Sequence, residues 1–160
     1  MATNLTVNNN VYAYPEPGDE PGWGADATGW AEEVTTVLTS LQGADDIPET
    51  TFNIANNQSS LATVTGLDFN PATVRSAVID YSIYRTTNST ELAEKGTLEL
   101  VYKNGGTVTE KWSIGRVFFG DDAGVEFSMT DAGQMEYTST NVSGTGYVGE
   151  MKFEARCTLQ

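Results

Sequence analysis

The sequence contains no histidine and a single cysteine, Cys157. Histidine is the usual proton shuttle of catalysis and the commonest metal ligand, so sites built on imidazole are excluded. One cysteine cannot form an intrachain disulfide. Because no imidazole can activate its thiol, Cys157 is expected to be an inert core residue of the closing strand rather than a nucleophile.

Basic residues are also scarce. The chain has 8 lysines and arginines against 22 aspartates and glutamates, which gives a formal net charge of -14. A surface this acidic repels phosphate, so neither nucleic acid nor an anionic membrane is an expected partner. No segment approaches the roughly 20 apolar residues of a membrane helix. The opening MATNLTVNNN lacks the basic start and apolar run of a signal peptide, so we expect synthesis in a cytoplasm.

The first 43 residues have a pattern of their own. Residues 1–24 join NLTVNNNVYAY, a short strand or extended arm, to PEPGDEPGWG, whose prolines and glycines predict an ordered loop. Residues 25–43 are predicted to form an amphipathic helix. Its apolar stripe has helical spacing and consists of Trp30, Val34, Val37, Leu38 and Leu41.

From about residue 50 the apolar period falls to two, which is typical of strands. Turn sequences such as NGG and DAG separate the strands and predict hairpins. We therefore predict a mainly β protein: an antiparallel β-sandwich of jelly-roll type over residues 44–160, preceded by the one N-terminal α-helix. The positions predicted to be buried are Phe52, Ile54, Ile79, Tyr81, Ile83, Leu98, Leu100, Trp112, Phe127, Met151 and Phe153.

Few residues suggest chemistry. Asp121 and Asp122 could bind calcium, but one turn offers fewer than the six to eight oxygens needed, so a structural turn is favoured. The other acids are scattered, and no spacing singles out the carboxylate pair of a glycosidase. Exposed tyrosines, including Tyr147, could bind sugar, although packing is favoured. We predict no enzyme activity, no metal and no cofactor.

The sequence resembles a family of small bacteriophage virion proteins and tail-fibre modules. The resemblance rests on the opening NLTVNNNVYAYPEPGD and GWGADATGWAEEVT, on FNIANNQSSLATVTGLDF, VRSAVIDYSIYR and GDDAGVEFSMTDAGQMEYTST, and on the closing GYVGEMKFEARCTL. These motifs extend over nearly the whole chain. The resemblance implies a structural protein of the virion, made in the host cytoplasm, and it implies no catalytic residues.

The leading functional prediction is a capsid decoration (cement) or head-surface protein. It would bind the major capsid protein or another virion protein as a homo-oligomer, with a trimer expected, because symmetric binding multiplies weak contacts. The alternative is a tail fibre, tail spike or baseplate component that contacts the host receptor. A carbohydrate-active enzyme is a third class, and it is not favoured.

The N-terminal segment is the predicted attachment or oligomerisation element, with Tyr12, Tyr14, Trp23 and Trp30 as its candidate anchors. Large aromatic side chains concentrate binding energy in small buried patches. A second interpretation is that the helix covers an open face of the sandwich. The two interpretations are compatible.

Overall fold

The structure is a computed structural model and describes residues 3–7, 10–14, 23–41, 45–105 and 110–159. The chain divides into two units, residues 1–44 (unit 1) and residues 45–160 (unit 2). The predicted division into an arm over 1–24, a helix over 25–43 and a sandwich over 44–160 stays a prediction.

Unit 1 is built from a β-hairpin and a helix. Strands β1 (Thr3–Val7) and β2 (Asn10–Tyr14) pair antiparallel, so the short strand or extended arm predicted over residues 4–14 is in fact a two-stranded hairpin. Pairing satisfies backbone groups that one extended strand would leave open. Helix α1 (Trp23–Leu41) lies against both strands. It begins at Trp23 rather than 25, because backbone hydrogen bonding, not the apolar stripe, fixes a helix end.

Unit 2 contains eight strands among its described residues. They are β3 (Ile47–Asn53), β4 (Ala62–Asp68), β5 (Val74–Thr86), β6 (Glu91–Tyr102), β7 (Trp112–Gly120), β8 (Val125–Met129), β9 (Gln134–Ser139) and β10 (Val148–Leu159). Five of them form one antiparallel sheet in the order β3-β10-β5-β6-β7, and three form a second in the order β4-β9-β8. The predicted mainly β fold with antiparallel sheets and one helix is thus confirmed.

The strand order does not confirm the jelly-roll connectivity. A jelly roll distributes eight strands over two sheets in two Greek keys. Here β5, β6 and β7 are neighbours in sequence and in the same sheet, and the sheets have five and three strands. The layout is compatible with a sandwich, because the inner faces of the two sheets contribute to one hydrophobic core.

The predicted core is largely confirmed. Nine of the eleven residues named from the sequence are buried, while Phe52 and Phe127 are half-buried and pack against the core from its margin. Each of these two rings makes an edge-to-face contact with a core tyrosine, Phe52 with Tyr137 and Phe127 with Tyr81. Both contacts join one sheet to the other, so the rings help to hold the two sheets together.

Candidate functional site

The four predicted anchors all lie in unit 1. Tyr12 and Tyr14 are on β2, and Trp23 is the first residue of α1. The side chains of these three residues lie outside the described part of the structure, so their role stays a prediction. Trp30 lies further along α1 and is 38% exposed.

The apolar stripe of α1 is only partly covered. Val34 and Val37 are half-buried, whereas Leu38, two turns after Trp30, is 58% exposed. Trp30 and Leu38 are eight residues apart and therefore lie on the same helix face. Together they leave an apolar surface in solvent. Of the described helical residues, no stretch is long and apolar enough to cross a membrane.

Arg85 organises one end of unit 2. Its side chain is fully buried at the end of the inward-facing series of β5. The guanidinium donates five hydrogen bonds to acceptors in four separate segments: Asn56 Oδ1, Ala123 O, the carbonyl and hydroxyl of Thr140, and Tyr147 Oη. Arginine has five N–H donors, so this donor set is fully used.

The acceptors around Arg85 are all neutral. Nη2 donates to Thr140 O at 2.6 Å, and Nε donates to Tyr147 Oη at 3.0 Å. Within the described residues, no carboxylate pairs with Arg85. Tyr147 also donates to Ile54 O at 3.0 Å. The sequence interpretation of Tyr147 as a packing residue therefore agrees with the structure.

A second buried charged group lies between the sheets. Glu94, whose side chain has no exposed surface, accepts from the Tyr81 hydroxyl at 2.6 Å and from Arg116 through Oε1. Its Oε2 accepts from the Ala123 N–H at 2.9 Å. Arg116 also donates to Tyr81 Oη at 2.9 Å and to Val125 O at 2.7 Å. Each oxygen of Glu94 is thus engaged, and Arg116 joins the edge of one sheet to that of the other.

The surroundings of Tyr81 and Arg116 keep both side chains protonated. Burial raises the pKa of Tyr81, and the hydrogen bond to Glu94 raises it further, so the phenol stays protonated. Burial, the largest single effect, lowers the pKa of Arg116, but the hydrogen bonds to Glu94 and Tyr81 outweigh it and leave that pKa raised. Tyr81 and Glu94 are almost wholly buried, so neither is placed to meet a substrate. These hydrogen bonds contribute to the stability of unit 2.

Sequence reasoning missed these charged residues, although a signal was present. Arg85 continues the inward series of Ile79, Tyr81 and Ile83 with period two. Glu94 is likewise in phase with the buried Leu98 of β6. A charged residue at an inward strand position predicts a buried polar network, because an unpaired charge there would be very costly.

The Asp121–Asp122 segment forms a turn, as favoured from the sequence. Asp121 Oδ2 accepts from the Ala93 N–H at 3.0 Å, and Asp122 Oδ1 accepts from the Gly124 N–H at 2.8 Å. Gly124 has a φ of 63°, a conformation that favours glycine. In the described part of the chain, no three acidic or cysteine side chains are grouped so that they could hold a metal ion.

Cys157 is half-buried rather than fully in the core, because β10 leaves the core near its end. Its thiol donates to Asp45 O at 3.1 Å, and its backbone N–H donates to Asp46 Oδ1 at 2.6 Å. Burial, followed by the charges of Asp46 and Asp45, raises the pKa of the thiol to about 11. The thiol is therefore protonated at neutral pH and weakly reactive, in agreement with the sequence interpretation.

A small cleft lies between the start of β7 and the end of β8. Its volume is about 240 Å³, and its lining includes Trp112, Phe127, Ser128 and Asp131. The Trp112 Nε1 and Ser128 Oγ atoms are buried and have no hydrogen-bond partner in the described structure. The cleft is smaller than most ligand sites, which occupy roughly 300–1,000 Å³.

Comparisons with known proteins give distant likenesses. No protein-family model matches the chain, and no curated protein matches it. Among solved structures, the tailspike protein of Acinetobacter phage vB_ApiP_P1 is 15% identical, with 69% of this chain and 22% of that chain covered and a TM-score of 0.40. The tailspike protein of Acinetobacter baumannii phage AM24 is 12% identical, with coverages of 71% and 26% and a TM-score of 0.33. The chain spans about a quarter of the length of each tailspike, and at these values neither likeness carries an argument about function.

Proposed function

We propose that this chain is a non-enzymatic structural protein of a bacteriophage virion, bound to the capsid surface as a decoration (cement) protein. In this proposal unit 1 makes the contact with the particle and supports a trimer, and unit 2 is the displayed body. The sequence resemblance to small virion proteins and the division of the chain into two units support this assignment of roles.

The observation that carries the proposal is the exposed apolar surface of α1. An amphipathic helix normally buries its apolar stripe against the core of its own protein. Here Leu38 on that stripe is 58% exposed, and Trp30 keeps 38% of its surface exposed. Tryptophan is among the residues most often found as binding hot spots, and an exposed tryptophan beside an exposed leucine fits a contact surface.

The charge of the chain bears on how the contact forms. At -14 the protein is attracted to basic patches on a virion partner, and salt screens this attraction. Apolar burial by α1 is not screened. We therefore expect moderate salt to slow association without removing the bound protein from its particle.

The displayed body fits a passive role. The charged side chains inside unit 2, Arg85, Glu94 and Arg116, have their hydrogen-bonding groups engaged with one another or with neutral partners. These residues fix loops and sheets in place.

The test measures binding of variants to particles that lack the protein. In Trp30→Ala/Leu38→Ala the exposed surface of α1 is removed, and we expect binding to weaken about tenfold or more. Leu61→Ala is the matched control, because Leu61 in unit 2 is 57% exposed, close to Leu38. Particles are pelleted and occupancy is quantified, and circular dichroism verifies the fold of each variant. Full occupancy by the double variant would contradict the proposal.

Copy number distinguishes the head from the tail. A decoration protein covers the capsid lattice and is present on the order of hundreds of copies, whereas a tail component is present in a few to a few dozen. Quantifying the chain against the major capsid protein of the same virion measures this ratio. A low ratio would favour the tail fibre, tail spike or baseplate alternative.

A further inference from the structure

The four sheet edges of unit 2 differ in how they are protected. Natural proteins guard exposed edge strands with proline, charge, bulges or short length, because an open edge can pair with another chain. Strand β3 has Pro48 and Glu49, and β4 is interrupted at Gly66, where its register with β9 shifts. Strand β8 has only five residues and includes the exposed Glu126. Three of the four edges are thus protected.

Strand β7 is the exception. It has nine residues, contains no proline and no acid, and pairs only with β6 among the described strands. Val117 and Phe119 point to the outer face of the sheet and are 63% and 76% exposed. Ile114 and Phe118 lie on the opposite face of the strand and are also exposed. The β7 edge therefore presents apolar side chains on both faces beside unpaired backbone groups.

The charge pattern indicates which chain can occupy this edge. The protein has 22 acidic residues, yet β7 has none, and its one charged residue, Arg116, is already paired with Glu94. Two copies of so acidic a protein repel each other over most of their surface. At the β7 edge they can meet without placing one carboxylate opposite another.

We propose that β7 pairs antiparallel with β7 of a second copy of this chain, across a two-fold axis. The two strands overlap over residues 114–120, so seven residues at about 3.4 Å each give a contact about 24 Å long, and the two five-stranded sheets become continuous. With the axis at Val117, the two Val117 side chains meet and each Phe119 lies opposite Gly115 of the second copy. Gly115 has no side chain, and a Cβ built there would meet its nearest atom only at 4.0 Å, so nothing within 4.0 Å of that Cβ position opposes the ring.

The response to added salt distinguishes this pairing of two copies from binding to a basic partner. Because the two copies carry the same net charge, screening weakens their repulsion, and self-association strengthens as salt is added. Binding to a basic surface would weaken under the same change. The pairing is independent of the proposed virion role, since it needs only a second copy of the chain.

Sedimentation velocity of the full chain tests the inference, over a range of concentrations at low salt and at about 0.5 M salt. Wild type is expected to associate in pairs through β7, in addition to any trimer held by unit 1 and more strongly at high salt, and Val117→Lys is expected to weaken this pairing about tenfold or more. Leu61→Lys is the control. It adds the same charge at a residue of similar exposure, 57% against 63%, and is expected to dimerise like wild type.

Cross-linking tests the register. In a Cys157→Ser background, Val117→Cys is expected to form a disulfide between copies under mild oxidation, whereas Leu61→Cys is not. The inference is overturned if wild type stays monomeric, if both lysine variants weaken association equally, or if Val117→Lys associates like wild type. In the last case an oligomer held by unit 1 would still be compatible with the proposed virion role, so the two proposals fail separately.

Discussion

Glu94 offers the sharpest test of what holds unit 2 together. In Glu94→Gln the shape of the side chain is kept, but its charge is lost and one oxygen becomes an NH₂ group. If the NH₂ group replaces Oε2, it faces the Ala123 N–H, which is also a donor. If it replaces Oε1, it faces the donors of Tyr81 and Arg116. Breaking a buried ion pair in this way costs about 3–5 kcal/mol. We expect about 3 kcal/mol, since the Arg116 side chain keeps 17% exposure and can be partly solvated.

Glu126→Gln is the matched control for this variant. Glu126 lies 4.0 Å from the same Arg116, but its side chain is 80% exposed. Exposed pairs contribute about 0–1 kcal/mol, so Glu126→Gln is expected to leave the free energy of unfolding nearly unchanged.

Urea unfolding followed by far-UV circular dichroism measures both variants, and an unchanged m-value shows that the same surface unfolds. The expected result is a clear fall in the midpoint for Glu94→Gln and almost none for Glu126→Gln. Equal midpoints for the two variants would refute the reasoning, because they would show that burial of the Glu94 group does not matter to stability.

Three further predictions concern single positions. A Cβ at Gly96 would lie 2.5 Å from a buried tyrosine hydroxyl and 2.6 Å from a backbone carbonyl. Gly96→Ala is therefore expected to lower the free energy of unfolding, measured in urea, by about 1–3 kcal/mol. Gly115→Ala on the next strand is the control and is expected to lower it little. Arg85→Lys keeps the charge but cannot reach acceptors in four segments, so it is expected to lower the free energy of unfolding by about 3 kcal/mol; a melting temperature equal to wild type would contradict this. The pKa of Cys157 is raised from 9.0 to about 11 in the folded protein, so its contribution to stability is present below about pH 9 and is lost as the pH rises toward 11. Cys157→Ser should show less of this loss when unfolding midpoints are compared over that range.

The strands of unit 2 could be predicted because their period is short and local. In β5, Ile79, Tyr81 and Ile83 alternate with polar residues, and a strand is the structure that places such alternate residues on one face. The β6–β7 and β8–β9 hairpins follow from the turn residues between the strands. Residues close together in the sequence were therefore sufficient to predict these strands and hairpins.

Other features depend on contacts between distant segments. Val64 and Leu67 of β4 are both buried although only two residues lie between them, because the register of β4 with β9 shifts by three residues around Gly66, which adopts a φ of 95°. The pairing of β10 between β3 and β5 joins segments that are far apart in sequence, and no local signal specifies that order. The hairpin of β1 and β2 was missed for a related reason: each strand has only five residues, so the pattern alone did not show where one ended.

The two candidate contact surfaces, on α1 and at the β7 edge, also differ in how far the sequence predicts them. Aromatic residues near the start of the chain, such as Trp30, can be named from the sequence as candidate anchors, but only the structure shows that Trp30 is partly exposed and Leu38 more so. The β7 edge could not be inferred from its sequence, since Val117, Phe118 and Phe119 read equally well as a central strand. Whether an apolar strand is covered or open depends on the position it takes in the sheet.

The sequence by itself determined the acidic character of the protein, the strand periods of unit 2 and the apolar stripe of α1, because each depends on residues close together in the chain. Tertiary structure alone decided the strand order, the open edge at β7 and the partners of Arg85 and Glu94. Arg85 draws its acceptors from segments up to 62 positions away in sequence, and Glu94 takes donors from three separate segments. Buried charges are tolerated only where such distant groups converge, and that convergence is a property of the folded chain.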